Sequence, residues 1–174
     1  MNKILCYIPN SLSLFRLCLA CFFPFVEEKI WIWFILSGGA SDFLDGWIAR
    51  RWNLTSWQGG LIDAVADKLF VLAALITFVV AGKFSGWLVP LVIARDLIVA
   101  FIACYAVSNQ AWDSFRQMDA RWSGKVATAG QFLLMIVVAL VPEFIGPALY
   151  LVVLISFIAA FDYAKLFIKV LPGR

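Results

Sequence analysis

The chain has 174 residues, of which 64% are hydrophobic and 14% charged. A soluble domain is about half apolar and about a quarter charged, so an ordinary soluble protein is excluded and an integral membrane protein is expected. The net charge is only +3 and gives no basis for nucleic-acid binding, while the lack of any histidine removes histidine acid–base chemistry, haem ligation by histidine and most zinc sites.

Six apolar segments follow one another, each near the length a bilayer core requires. They run near Leu12–Val26, Ile30–Ala49, Leu61–Ala81, Trp87–Val107, Val126–Val141 and Gly146–Ile168. Arg16 inside the first apolar run, and no clean small-residue cleavage site after it, mark this segment as a retained span rather than a signal peptide. The third carries Asp63, Asp67 and Lys68 in its first two turns, which places its start at the interface or against a protein cavity. Trp31, Trp52, Trp57, Trp87, Trp112 and Trp122 lie near span ends, as interfacial aromatic belts do. Cys6, Cys18, Cys21 and Cys104 have no zinc-ligand spacing and are expected as small buried hydrophobes. The fold expected is all-α, one membrane domain over residues 1–174 with six transmembrane helices.

The connectors alternate in charge. Lys3, Arg50, Arg51, Arg116, Arg121, Lys125, Lys165, Lys169 and Arg174 fall on one side, and Glu27, Glu28, Lys29, Lys83 and Glu143 on the other. Positive connectors stay in the cytoplasm, which puts both termini there. The longest polar connector, Ser108–Gly124, reads either as a surface-lying segment with Trp112, Phe115 and Trp122 or as a solvated loop.

The informative stretch is Asp42-x2-Asp45-Gly46-x2-Ala49-Arg50-x8-Gly59-x3-Asp63-x3-Asp67. Carboxylates in or beside lipid-spanning helices are costly and are functional suspects. Residues three and four apart share a helix face, so each Asp pair points one way from its own helix. Two such helices side by side would converge four carboxylates on one or two hard divalent cations, Mg2+ first. Gly46 and Ala49 let a large ligand approach the backbone, Gly59 allows close approach or a tight turn, and Arg50 offers a fork suited to phosphate. Together they describe a metal–diphosphate site near the cytoplasmic face.

This pattern resembles the signature of the CDP-alcohol phosphatidyltransferases (class I) at Asp42, Asp45, Gly46, Ala49, Arg50, Gly59, Asp63 and Asp67. Ile8–Arg16 is similar to that family's opening into its first helix, and Ser123-Gly124-Lys125-Val126-Ala127-Thr128 to the Gly-Lys-x-x-Thr element of its glycerophospholipid branch. The resemblance implies an enzyme of the bacterial inner membrane that moves a phosphatidyl group from CDP-diacylglycerol to an alcohol and releases CMP. It implies Asp42, Asp45, Asp63 and Asp67 as ligands of two Mg2+ or Mn2+ ions, with Asp67 also the general base. Gly46, Ala49, Arg50 and Gly59 would line the CDP pocket, and family members are commonly homodimers among membrane lipids.

The acceptor is expected to be of the glycerol type, bound by Arg95, Lys125, Arg121 and Arg16. The glycerol 3-phosphate users of the branch usually carry Arg-Glu, a second arginine eight residues later, and Lys-x-Lys-Thr. Here Arg95-Asp96, Ala103 and Ala127 stand at those places. These departures look more like the cardiolipin synthases, so the reading leans to phosphatidylglycerol, with glycerol 3-phosphate as the alternative. Rival classes are a membrane prenyltransferase, whose Asp motifs lie on well-separated helices, and an ion transporter, which would show inverted repeats or paired broken helices.

Overall fold

The computed structural model describes residues 7–51, 57–108 and 122–170, all of them helices and short connections with no strand. Helix α1 spans Tyr7–Phe22, α2 Glu28–Arg51, α3 Trp57–Val80, α4 Val89–Val92, α5 Ala94–Ser108, α6 Trp122–Leu140 and α7 Ile145–Val170. Single 3-10 turns at Phe23–Phe25, Gly86–Leu88 and Pro142–Phe144 precede α2, α4 and α7.

The chain forms two compact units. One contains α1, α2 and α3 and takes in Val138–Pro142, and the other contains Phe84–Val137 and Glu143 onward.

In the first unit each helix buries one stripe. On α1 the stripe is Ser13, Arg16, Ala20, followed by Phe23, while Leu14, Phe15 and Phe22 face outward. That three-to-four-residue spacing is one face of a helix. On α3 it is Asp67, Phe70, Val71, Ala74, Leu75 and Phe78. An aromatic cluster ties the stripes together: Phe23 lies 5.9 Å from Phe70, 5.8 Å from Phe78 and 6.3 Å from Trp31 between ring centroids. Trp31 is therefore core, not an interfacial anchor; its indole donates to the Val26 carbonyl at 3.2 Å. Trp87 and Trp122 are exposed. The side chains of Trp52, Trp57 and Trp112 lie outside the described residues, as does Cys6. Cys18, Cys21 and Cys104 are exposed rather than buried, because they fall off the inward stripe of their helices.

Gly38 sets the separation of α2 and α3. A Cβ there would lie 2.6 Å from the Phe70 ring, so the ring packs directly on α2 backbone. Gly38 is one turn before Asp42, and Phe70 two turns after Asp63. This close approach therefore adjoins the carboxylates. Gly82, with φ +71°, ends α3, and the Lys83 N–H closes back on the Phe78 carbonyl at 2.9 Å.

In the second unit the buried stripes are Gly124, Ala127, Gln131, Leu134 and Met135 on α6, and Leu149, Val152, Ser156, Ala159 and Tyr163 on α7. The expected fourth span is not one straight helix. It breaks at Ile93, and the parts on either side meet at 59°. Such a bend arises where side chains insert into the helical ladder. Here the Val92 carbonyl accepts from Ser156 Oγ at 2.6 Å and from Gln131 Nε2 at 3.2 Å.

Among the described residues two helices, α6 and the segment containing α7, are long and apolar enough to cross a membrane, and a third crossing results if the bent pair is one span. α2 and α3 have the length, 24 residues each, but carry the aspartates. The chain is an apolar, helical membrane protein.

Candidate active site

α2 and α3 bring three carboxylates to one point, facing α1. One oxygen from each of Asp42, Asp45 and Asp63 lies within 4.8 Å of the other two. Asp45 is the deepest, with its side chain 3% exposed, whereas Asp42 and Asp63 are 39% and 38% exposed. The group thus has a dry floor and a solvent-facing rim.

Arg16 lies among them, fully buried. Its Nη2 donates to Asp45 Oδ2 at 2.6 Å, and its Nη1 faces Asp63 Oδ1 at 2.9 Å and Asp42 Oδ1 at 3.1 Å. Its Nε donates to Ser41 Oγ at 3.3 Å, and Ser41 donates in turn to the Gly38 carbonyl at 2.8 Å. Ser13, one turn earlier on α1, donates to Asp63 Oδ1 at 3.3 Å. The sequence reading set Arg16 among acceptor cations; the structure places it instead against the carboxylates, where burying its charge requires anionic partners. Ser13 and Ser41 escaped that reading. The available signal was their helical register with Arg16 and Asp45.

These residues fit a divalent cation. Three carboxylates face one guanidinium, and Asp45 Oδ1 is buried with no hydrogen-bond partner among the described residues. An all-oxygen set of this kind suits a hard cation.

Asp67 is buried on α3 but is not one of the three converged carboxylates. Its Oδ2 pairs with Lys68 Nζ at 2.9 Å, and its Oδ1 is buried without a partner among the described residues. Gly46 lies on α2 one residue beyond Asp45 and is half-buried. The side chains of Ala49 and Arg50, and the surroundings of Gly59, lie outside the described residues, as does Arg121.

A second polar group lies in the other unit. Arg95 Nη1 donates to Asp96 Oδ1 at 2.7 Å, and its guanidinium carbon sits 5.2 Å from the centroid of the Tyr163 ring. A Cβ on Gly124 would fall 2.5 Å from Arg95 Nη2 and 2.7 Å from the Tyr163 hydroxyl. The Gly-Lys-x-x-Thr element therefore has a structural explanation for its glycine. Thr128 donates back to the Gly124 carbonyl at 3.2 Å, and Lys125 is exposed over the Trp122 ring at 5.9 Å. Asp162, given no role from sequence, accepts from Ser123 at 2.7 Å.

A membrane helix bundle with a converged aspartate trio of this spacing defines a class, and comparison with known proteins gives the same one. Residues 6–162 match the family described as CDP-alcohol phosphatidyltransferase. The chain belongs to that family and is an enzyme of that class. Among its relatives, a protein of Pectobacterium atrosepticum is 30% identical over 90% of this chain and 92% of its own length. One of Sodalis glossinidius is 31% identical over 90% and 92%, and one of Yersinia pestis 32% identical over 71% of each chain. All three are named CDP-diacylglycerol–glycerol-3-phosphate 3-phosphatidyltransferase.

Proposed function

We propose that this protein transfers the phosphatidyl group of CDP-diacylglycerol to a hydroxyl of glycerol 3-phosphate, forming phosphatidylglycerophosphate and CMP. The convergence of Asp42, Asp45 and Asp63 oxygens within 4.8 Å carries the chemistry. The acceptor rests on the names of the similar proteins, and it replaces the lean to phosphatidylglycerol drawn from the Arg95-Asp96 pair, Ala103 and Ala127. The phosphatidylglycerol reading stays second, favoured by those three departures alone.

Asp42, Asp45 and Asp63 would hold Mg2+ or Mn2+, two ions when Asp67 also contributes. When bound, such ions neutralise the diphosphate and improve CMP as a leaving group. Gly46, Ala49, Arg50 and Gly59 line the CDP side. Asp67, whose buried Oδ1 is free to accept, takes the proton of the acceptor hydroxyl. The oxygen then attacks the β-phosphorus, and the phosphorus–oxygen bond to CMP breaks. Arg95, with Lys125 and Arg121, would bind the acceptor's phosphate: Arg95 already pairs with Asp96 at 2.7 Å, and its buried Nε has no partner among the described residues and is the donor left for a second anion.

The whole chain acts as one membrane domain of six spans, the bent pair α4–α5 serving as the fourth. Both termini and the active site face the cytoplasm of a bacterial inner membrane, and the enzyme works as a homodimer. α2 and α3 cross despite their acids because Asp42, Asp45 and Asp63 pair with Arg16 of α1.

The test is product analysis. Purified protein with CDP-diacylglycerol and Mg2+ is offered glycerol 3-phosphate or phosphatidylglycerol in separate reactions. Phosphatidylglycerophosphate and CMP from the first alone are expected. Cardiolipin from the second alone would reverse the acceptor, and CMP from neither would remove both glycerol acceptors.

A further inference from the structure

The buried amide of Gln131 joins the bend at Ile93 to the guanidinium of Arg95. Gln131 Nε2 donates to the Val92 carbonyl at 3.2 Å and to Asp96 Oδ2 at 2.7 Å. Both neighbours are acceptors, so the amide nitrogen must face them and the orientation is determined. Asp96 uses its other oxygen on Arg95, with Oδ1 accepting from Nη1 at 2.7 Å. The carboxylate is thus held at both ends, and the chain of contacts runs Gln131, Asp96, Arg95.

The guanidinium at the end of this chain is boxed in. The Tyr163 ring covers one face, and Gly124 admits Nη2 and the Tyr163 hydroxyl against its backbone. Its Nε is buried with no partner among the described residues. A buried donor left without an acceptor is costly, and an anion supplied by a ligand relieves that cost.

Ser156 supplies an internal comparison. It is fully buried and donates to the same Val92 carbonyl at 2.6 Å. Gln131 alone of the two also contacts Asp96.

We infer that Gln131 is a positioning residue for the acceptor: through Asp96 it orients the Arg95 guanidinium toward the phosphate of glycerol 3-phosphate. This rests on the acceptor reading above. Gln131 touches neither substrate nor the reacting atoms, and its effect passes through Arg95. Without the relay Asp96 loses the hydrogen bond from Gln131 and fixes the Arg95 guanidinium less firmly, so phosphate binding weakens.

The experiment is a set of KM and kcat measurements on purified full-length variants. For Gln131→Leu, KM for glycerol 3-phosphate should rise about tenfold, the worth of one hydrogen bond to a charged group, with kcat changed less and KM for CDP-diacylglycerol unmoved. Ser156→Ala should leave KM for glycerol 3-phosphate unchanged. Equal rises from both variants would show that the bend, not the relay, sets binding, and would overturn the proposal. A Gln131→Leu enzyme with unaltered KM, beside an Arg95→Lys enzyme with raised KM, would overturn the relay and leave the acceptor reading standing. An Arg95→Lys enzyme with unaltered KM would remove both. Should Gln131→Leu fail to fold, Asp96→Asn keeps the side-chain shape and breaks the same relay at its middle. It should raise KM for glycerol 3-phosphate as well, and no rise would overturn the proposal.

Discussion

Arg16 donates to Asp45 at 2.6 Å where neither side chain meets solvent, the guanidinium being 0% and the carboxylate 3% exposed. The pair joins α1 to α2, and the same guanidinium reaches Asp63 on α3. One cation on α1 thus holds α2 and α3 by their acids.

Removing that cation should be costly. Arg16→Gln leaves carboxylates crowded around a buried Asp45, and breaking a buried pair from one side costs about 3–5 kcal/mol. The lower end is expected because Asp42 and Asp63 are partly solvated. Thermal unfolding of the purified protein should show a large fall in Tm in EDTA and a smaller one in Mg2+, since bound metal supplies the missing positive charge. An equal fall in both would count against a metal at this trio.

Asp67→Asn should abolish transfer and spare the fold. The carboxylate and the amide have nearly the same shape, and the Asp67–Lys68 ion pair that the change weakens is partly exposed on the lysine side. General-base catalysis contributes about 10²–10⁴ in rate, so kcat should fall by that order with Tm nearly unchanged. Retention of full activity would take the base assignment away from Asp67.

EDTA should stop CMP release, and added Mg2+ or Mn2+ should restore it. Asp45→Asn and Asp63→Asn should each raise the metal concentration needed for half-maximal activity, and Mn2+ titration followed by electron paramagnetic resonance checks binding without turnover. An enzyme indifferent to chelation would remove the metal from the reaction.

Gly38→Ala tests whether helix approach sets the site. The added methyl would meet the buried Phe70 ring at 2.6 Å, and overpacking of this kind costs about 1–3 kcal/mol. Tm should fall and metal affinity should weaken with it, because Gly38 is one turn from Asp42. Phe70→Leu in the same background should recover part of both. A double variant no better than the single one would show that the ring is not the obstacle.

Single-cysteine labelling in intact cells checks the topology. With native cysteines replaced, Lys83→Cys should react with a membrane-impermeant reagent from outside, and Lys165→Cys only after the membrane is opened. The reverse pattern would invert the proposed orientation.

What could be read along the chain and what could not divide by distance. The helices came from runs of apolar residues, and the pairing of Asp42 with Asp45 and of Asp63 with Asp67 came from the 3.6-residue turn. Those are local properties of a covalent chain. The break at Ile93 was not legible, because it depends on donors from Gln131 and Ser156, 39 and 64 residues from Val92. Neither was the burial of Trp31, which follows from Phe23 and Phe78 closing around it. Nor was the place of Arg16, since its partners lie as far as 47 residues away and the sequence offers an acceptor anion as readily as an aspartate. By itself the sequence determined a helical membrane protein with an acidic, metal-suited motif, because composition and periodicity are set residue by residue. Only the tertiary structure decided which cation faces which carboxylate: a buried charge takes the partner that packing brings within hydrogen-bond reach, and packing is a property of all the helices at once.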